Sequence, residues 1–336
     1  MISPKDTEFI FEKALRMQKD EEELVEKIKK GDELMKTLKR EKAIHYEANP
    51  DLAPVFSVKS GEKFKVETLD AFEGDIFKKG TGHYTSEDIP RITSTPFKAN
   101  PVGGPIYVEG SEIGDLLAIH IWDIIPGEKG WTGTMESIGL LHDKVGWEEC
   151  HGNYGHVIEH ISGPSGTTSD GRAVFEINGH KWIWDLNPHI GTIFTCPEKG
   201  RGVVNSLTVQ GPSGGNQDIR DVCKGNTIYL NCFNKGGLIF LGDVHASQGD
   251  AEFTGIANET DGDVILSAEV IKNKKIPGTL RIETPKSIIQ VDGGKNAGGR
   301  KEAIDNCFVG MMSWLVEDYG FTKREAYLHM TANSGV

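Results

Sequence analysis

The sequence lacks a surplus of basic charge and lacks long apolar runs. It carries 37 Lys and Arg against 50 Asp and Glu, for a formal net charge of −13. Nucleic-acid binding needs clustered basic side chains, so this balance argues against a nucleic-acid partner. No apolar stretch approaches the roughly 18 residues of a membrane-spanning helix, and residues 1–6 lack the apolar core of a secretory signal. We therefore expect a cytoplasmic protein without membrane segments.

Paired cysteines are also missing. The five cysteines are odd in number and show no Cys-x-x-Cys spacing, which predicts reduced thiols in a cytoplasmic protein. A lone cysteine is more often a small core residue than a nucleophile. Cys196, which lies in a Phe-Thr-Cys-Pro stretch, is kept as a candidate nucleophile.

The 336 residues permit one large domain or two ordinary ones. Residues 5–43 are rich in charge and helical in character, with a narrow apolar seam. Gly31 and Asp32 interrupt this segment and suggest a helical hairpin. We therefore predict a helical arm or hairpin over residues 1–47, followed by one β-rich domain over residues 48–336. The seam consists of Leu24, Ile28, Met35 and Leu38.

The rest of the chain alternates short strands with turns. Residues 64–69 alternate apolar and polar side chains, as a half-buried strand does. Residues 122–200 are rich in Gly, His, Trp and Pro and predict long loops between short strands. Residues 303–316 keep a helical period, and Thr322 with Glu325 forms a capping box that opens a last helix. The pattern predicts a large β core with helices at both ends of the chain.

Residues 242–252 carry the most chemistry. The apolar run 238–241 predicts a buried strand that ends in Asp243 and His245, which are two apart and so point to the same side. Polar side chains at the end of a buried strand are costly unless they pair or bind a cation. Gln248 and Glu252 follow within a few residues and favour a metal or acid–base site over a simple Asp–His hydrogen bond.

A second group of polar residues follows the glycine pair at 214–215. Asn216 and Asp218 place oxygens where the backbone can approach a ligand closely, although an ordinary turn between strands explains this segment equally well. Asp70, Glu109 and Glu259 are further acids near strand ends. Each alone predicts a solvated turn residue more readily than a buried one.

Several of these blocks together resemble the acetamidase/formamidase family of amide hydrolases. The resemblance spans about residues 50–330, and the blocks keep the order of the family. His189 departs from the family pattern, which has an apolar residue there, and the segment 127–172 also matches poorly. The matching blocks are residues 104–110 with 114–117, 191–193, 214–218, 242–252 and 319–327.

The resemblance implies a mainly β fold, a jelly-roll-like β-sandwich with a smaller α+β subdomain. It implies hydrolysis of a small linear amide to a carboxylate and ammonia. It also implies a homo-oligomer and a divalent metal, most plausibly zinc, with calcium as a possible companion. Two alternatives stay open: a cysteine-dependent amidase that uses Cys196, and a non-enzymatic β-sandwich that binds calcium or sugar.

The site hypothesis gives each candidate residue a role. The metal ligands are Asp218, Asp243 and His245, with Asp70 as a further candidate. The proton carrier is Glu252, or Glu109 as the second choice. Asn216 and Gln248 are the candidate substrate-binding residues.

Overall fold

Two large β-sheets dominate the computed structural model, which describes residues 35–42 and 44–336 apart from the side chains of residues 294 and 295. The strands are β1 (Lys36–Leu38), β2 (Glu47–Ala48), β3 (Phe56–Val58), β4 (Lys63–Thr68), β5 (Gly82–His83), β6 (Val102–Val108), β7 (Leu116–Pro126), β8 (Lys129–Thr134), β9 (Tyr154–Ile161), β10 (Arg172–Ile177), β11 (His180–Asp185), β12 (His189–Thr195), β13 (Val204–Asn205), β14 (Gln210–Gly211), β15 (Gly214–Asn216), β16 (Thr227–Asn231), β17 (Ile239–His245), β18 (Glu259–Thr260), β19 (Gly262–Ile271), β20 (Leu280–Glu283) and β21 (Ile288–Val291). The α-helices are α1 (Asp75–Lys79), α2 (Gly294–Ala297), α3 (Arg300–Asp318) and α4 (Lys323–Ala332), and single 3-10 turns lie at Arg40–Lys42, Pro90–Thr93, Glu148–Cys150 and Thr168–Asp170.

The strand order shows that both sheets are built from distant parts of the chain. The first sheet runs β1-β4-β19-β7-β16-β20-β21. The second runs β11-β10-β9-β8-β18-β17-β12-β15-β14, with β6 beside β17, β3 beside β6, and β5 beside β9. Most neighbours are antiparallel, whereas β1 pairs with β4 and β3 with β6 in parallel. β2 and β13 form a separate short ladder.

The main apolar core lies between the two sheets. On β4, Phe64 and Val66 are buried while the residues between them are half-buried, which confirms the predicted alternation. These side chains join one buried cluster with Ile119 of β7 from the first sheet and with Ile193 and Leu241 from the second. Because the inner faces of both sheets share one core, the predicted jelly-roll-like β-sandwich is confirmed.

A smaller mixed unit packs beside the sandwich. Its core contains Ile76 of α1 together with Phe72, Tyr84 and Ile89 from the surrounding loops. The indole of Trp131 on β8 stacks on Phe72 with ring centroids 5.1 Å apart. This unit corresponds to the smaller α+β part that was expected.

The C-terminal helices follow the prediction closely. α3 spans the residues that keep a helical period, and Gly320 adopts a φ of 72° after it. The Thr322 side chain accepts a hydrogen bond from the backbone N–H of Glu325, and the Glu325 carboxylate accepts one from the N–H of Thr322. The predicted capping box is therefore present at the start of α4.

Two predictions need correction. The helical interpretation is wrong for residues 36–38, which form β1 and pair with β4. Leu38 is buried in the main core because the parallel pairing turns it inward, while Leu24 and Ile28 lie outside the described residues. The prediction of long loops between short strands for residues 122–200 is correct only in part: residues 135–153 form a long loop with a single 3-10 turn, but β8 to β12 take up more of the stretch than expected. Its Gly- and Trp-rich composition conceals strands whose alternation is weak.

Among the described residues, no helix is both long enough and apolar enough to span a membrane.

Candidate active site

The centre of the second sheet carries a row of polar side chains across adjacent buried strands. On β17, His245 lies opposite His189 of β12 on one side and opposite Glu259 of β18 on the other. Every residue of β12 and β17 is buried. Asp243 and His245 thus lie at the end of the buried strand β17, as the sequence predicted.

An unusual backbone conformation brings Asp243 to this row of polar side chains. Its φ is 60°, in the left-handed region that few residues other than Gly, Asn and Asp adopt. Asp218, which follows β15, has a φ of 51°. The N–H groups of Gln217 and Asp218 both lie within hydrogen-bond distance of the Gly191 carbonyl, at 3.1 and 3.2 Å. Such strained positions concentrate at functional sites.

These strands gather two overlapping groups of possible ligands. One atom each from Asp218, Asp243 and His245 lie within 4.8 Å of one another, and the same holds for His245, Glu252 and Glu259. His245 belongs to both groups. Four carboxylates therefore surround one imidazole, and Asp243, His245 and Glu259 are almost completely buried.

Gln248 fixes which ring nitrogen of His245 points to the carboxylates. Its amide Nε2 donates a hydrogen bond to the backbone oxygen of Asp218 at 2.7 Å, so its Oε1 must accept. Nδ1 of His245 donates to Gln248 Oε1 at 2.8 Å. Nε2 of His245 is thereby left 3.5 Å from Asp243 Oδ1 and 3.3 Å from Glu259 Oε1. Nε2 of His189 lies 3.0 Å from the same Gln248 oxygen.

Asn216 and Thr192 support Asp243 from the other side. The Thr192 hydroxyl lies 2.8 Å from Asn216 Oδ1 and 3.0 Å from Asp243 Oδ2. The Asn216 amide nitrogen donates to the Leu207 carbonyl at 3.0 Å. Both ends of the Asn216 side chain, like both ends of Gln248, are thus engaged within the protein.

Burial and mutual repulsion shift the pKa values of the acids upward. The pKa of Asp218 rises to about 7, mainly through burial and then through the charge of Asp243. The pKa of Glu252 rises to about 9 for the same kind of reason, with Asp218 as its main charged neighbour. Burial also raises the pKa of Glu259.

The two histidines shift in opposite directions. Burial lowers the pKa of His245, but the charges of Glu259 and Asp243 outweigh burial and raise the pKa well above its usual value. Burial and then the neighbouring His245 charge lower the pKa of His189 to about 4. A positive charge is therefore favoured at the position of His245 and disfavoured at His189.

The structure passes a simple test for a cation at this cluster. Asp243 Oδ1 and Glu259 Oε2 are buried and accept no hydrogen bond, which is costly for a carboxylate. A Cβ at Gly191 would come within 2.6 Å of Asp243 Oδ2 and 2.8 Å of Asp218 Oδ1. The glycine therefore keeps a space between the acids open. Carboxylate oxygens with one imidazole nitrogen form a donor set that suits zinc and similar divalent ions.

The predicted residues fall into two sets. The structure brings Asp218, Asp243, His245 and Glu252 together and places Asn216 and Gln248 around them. Asp70 instead accepts hydrogen bonds from the N–H groups of Phe72 and Gly74 and from the Trp131 indole. Glu109 is exposed beyond the end of β6. Neither acid belongs to the two ligand groups.

The acids of the 250–252 segment also separate from each other. Asp250 is exposed and forms an ion pair with Arg220. Glu252 has a φ of 38° and turns into the cluster. A loop and not an extended strand carries these two acids, so they do not share one side as Asp243 and His245 do.

The roles of three residues at the site were not predicted from the sequence. Glu259 was predicted to be a solvated acid but is 4% exposed beside His245. Gly191 and Thr192 were seen only as part of a matching block. Both residues lie in an apolar stretch directly after His189. That stretch is the sequence signal for a buried strand that could pair with β17.

Cys196 has the surroundings of a core residue. It is fully buried in an apolar cluster with Phe194 and Phe240. Burial raises the pKa of its thiol to about 12. A thiol that stays protonated is a poor nucleophile.

Residues 32–200 and 206–334 match the model of the acetamidase/formamidase family, and the chain belongs to this family. It is 25% identical over 258 residues to a formamidase of Methylophilus methylotrophus, with 63% of this chain and 60% of that protein aligned. It is 25% identical over 353 residues to an acetamidase of Mycolicibacterium smegmatis, with 84% of each aligned. The chain thus spans less than two thirds of the length of that formamidase.

A solved structure shows the same fold. An acetamidase of Yersinia enterocolitica superimposes with a TM-score of 0.75 at 27% identity, over 90% of this chain and 86% of that chain. The overall fold expected from the resemblance is thereby confirmed.

Proposed function

We propose that this protein hydrolyses a small linear amide to a carboxylate and ammonia. The observation that carries the proposal is the buried cluster in which Asp218, Asp243 and His245 present ligand atoms within 4.8 Å of one another. A purely structural network would satisfy its buried acceptors, whereas Asp243 Oδ1 and Glu259 Oε2 accept no hydrogen bond. Family membership supports the reaction class, since relatives carry the names formamidase and acetamidase.

In this proposal Asp218, Asp243 and His245 hold a divalent metal ion, and their donor set of carboxylates with one imidazole favours zinc. When bound, the ion would supply Lewis-acid activation of a water molecule and of the amide carbonyl. Gln248 holds Nδ1 of His245 through a 2.8 Å hydrogen bond, so that Nε2 stays turned to the acids. Such a partner orients a ligating histidine and fixes its tautomer.

Glu252 is our candidate for moving the proton. An amide nitrogen leaves poorly as an anion, so a positioned acid must protonate it. Glu252 is only half-buried, whereas Glu259 in the same group is 4% exposed. Because Glu252 is the more exposed of the two, we assign the proton transfer to Glu252 and the support of His245 to Glu259, which lies 3.3 Å from its Nε2.

Ammonia release from formamide, acetamide and longer linear amides tests the reaction class. We expect Asp243→Asn to lower kcat/KM at least about 100-fold, because misplaced catalytic groups cost roughly that much. Asp250→Asn is the matched control: the residue lies in the same segment but is exposed and paired with Arg220, so its activity should stay within about twofold of the wild type. An Asp243→Asn variant with wild-type turnover, or a wild type inert towards all linear amides, contradicts the proposal.

A further inference from the structure

Among the described residues, no strand pairs with the outer edge of β11, the last strand of the second sheet, and its side chains are exposed. It ends the strand order of that sheet in the part of the chain that the structure describes. All six of its residues are exposed, including Trp182 at 64% and Ile183 at 54%. Long exposed apolar edge strands invite pairing with another strand, and proteins rarely leave them uncovered. β11 is therefore expected to have a partner.

The peptide groups of β11 alternate between its neighbour and the open edge. A two-residue turn, Asn178 and Gly179 with φ of 51° and 75°, joins β10 to β11. Just beyond β11, Leu186 N–H donates to the Gly171 carbonyl at 2.9 Å, which continues the register of this hairpin. Even-numbered residues of β11 thus bond to β10, and the N–H and C=O groups of Lys181, Ile183 and Asp185 point outward.

We propose that β11 pairs antiparallel with β11 of a second copy of this chain, with a two-fold axis at Ile183. The axis stands perpendicular to the sheet, so residues opposite each other lie on the same face. Ile183 then lies opposite its own copy, and Lys181 lies opposite Asp185 of the second copy. All three outward-pointing residues of each strand find a hydrogen-bonding partner in this register.

The charges select this register over its neighbours. Within the chain, Lys181 lies opposite Glu176 with a 3.3 Å ion pair, and Asp185 lies opposite Arg172. Across the two-fold axis the row becomes Glu176, Lys181, Asp185 and Arg172, with alternating sign. A register shifted by two residues removes both new charge pairs. A register shifted by one residue places side chains that point to opposite faces of the sheet next to each other.

The apolar side chains follow the same symmetry. Trp182 lies opposite Trp184 of the second copy, and this contact occurs twice. Cross-strand aromatic pairs stabilise neighbouring strands. Within the chain, the Trp184 indole N–H also donates to the Ser247 hydroxyl at 3.0 Å, next to Gln248. The proposed interface therefore continues directly from the hairpin that supports the 242–252 segment.

Charge reversal with mixing tests the register. Lys181→Glu places two acids opposite each other at both ends of the interface, and Asp185→Lys places two lysines there. Each variant alone should raise the dimer dissociation constant at least about tenfold in sedimentation velocity. An equimolar mixture of the two variants should recover the wild-type constant within about threefold, because each end of the mixed interface then carries an acid opposite a lysine. Glu159→Lys, on β9 inside the sheet, is the control and should behave as the wild type.

Cross-linking tests the same contact without changing a charge. Facing residues of a hydrogen-bonded antiparallel pair are about 5.5 Å apart between Cα atoms, which suits a disulfide. Ile183→Cys in a Cys150→Ser background should form a covalent dimer on mild oxidation. Ile161→Cys, exposed at 46% on an inner strand, should not.

A monomeric wild type, or an Ile183→Cys variant that forms no covalent dimer, overturns the proposal. Protection of Trp182 from a fluorescence quencher in a monomer would show that another part of the same chain covers the edge, and this result would overturn the proposal as well. None of these readouts requires amide hydrolysis, so this proposal and the proposed function fail independently.

Discussion

Gly191 is the residue whose lack of a side chain matters most to the acid cluster. Its Cα faces the acids so closely that a Cβ would lie 2.6 Å from Asp243 Oδ2 and 2.9 Å from His245 Cε1. Contacts below 3.0 Å force some atoms to move. Asp243 and His245, the proposed ligands, would therefore have to shift on β17.

Gly191→Ala should therefore weaken metal binding and lower kcat/KM by about 100-fold, the usual cost of a displacement of about 1 Å. Overpacking of this kind costs roughly 1–3 kcal/mol of stability. Gly249→Ala is the matched control, since a Cβ there meets nothing within 4 Å. Equal metal affinity of the two variants by isothermal titration calorimetry would contradict the account of Gly191.

Cys196→Ala separates the proposed function from a cysteine-dependent one. Because the thiol is buried and its pKa is raised to about 12, we expect kcat for amide hydrolysis to stay within about twofold of the wild type. The lost sulfur leaves a small cavity. The melting temperature should therefore fall by a few degrees, which corresponds to a loss of ~1 kcal/mol in the free energy of unfolding. Complete loss of ammonia release by a folded variant would restore the cysteine mechanism.

At the scale of elements, the turn between β6 and β7 is tied to the end of β19 through one carboxylate. Asp115 accepts hydrogen bonds from the N–H groups of Glu112 and Asn273 and from Lys272 Nζ. Burial opposes the charge of Asp115, but the bonds with Lys272 and Asn273 outweigh burial and lower its pKa below the usual 3.8. This contact joins the middle strands of the first sheet at one end.

A lowered pKa in the folded state means that the ionised carboxylate stabilises the fold. The stabilisation is complete well above pH 3.8 and disappears as the pH falls through the lower folded value. Asp115→Asn should therefore lower the free energy of unfolding by about 1–3 kcal/mol at pH 7. The difference in the free energy of unfolding between the variant and the wild type, measured by urea denaturation, should be smaller at pH 3. A gap that is the same at both pH values would contradict this role.

Local signals predicted the elements whose pattern depends on neighbouring residues alone. The alternation of β4 and the capping box of α4 are of this kind, and both predictions are confirmed. β1 was missed because three residues with Leu38 at a helical spacing say nothing about a parallel partner some 28 positions later. The extent of β8 to β12 was underestimated because much of their stability comes from neighbouring strands and not from their own alternation.

The site was predictable where its residues share one segment. Asp243, His245 and Glu252 come from one stretch, and Asp218 follows a glycine pair, so their types and spacing were informative. Glu259 was not found, because its burial depends on β18 pairing with both β17 and β8. Asp70 looked equivalent in sequence, yet backbone N–H groups and the Trp131 indole occupy its oxygens.

At the scale of the whole molecule, the sandwich brings functional residues from distant segments to one buried row. β12, β15, β17 and β18 lie in one sheet although they span residues 189–260. The consequence is a cluster of acids that must share protons or a cation. The hairpin of β10 and β11 extends from the same sheet and offers an edge that suits a second copy.

The central claim is that the acid cluster holds a divalent ion needed for amide hydrolysis. The most direct test measures bound metal and ammonia release on the same samples of full-length protein, before chelation, after chelation and after addition of zinc. The account predicts that both fall together and return together, with an anomalous-scattering peak about 2.0–2.2 Å from ligand atoms of Asp218, Asp243 and His245. Full ammonia release by protein verified to be free of metal would contradict it.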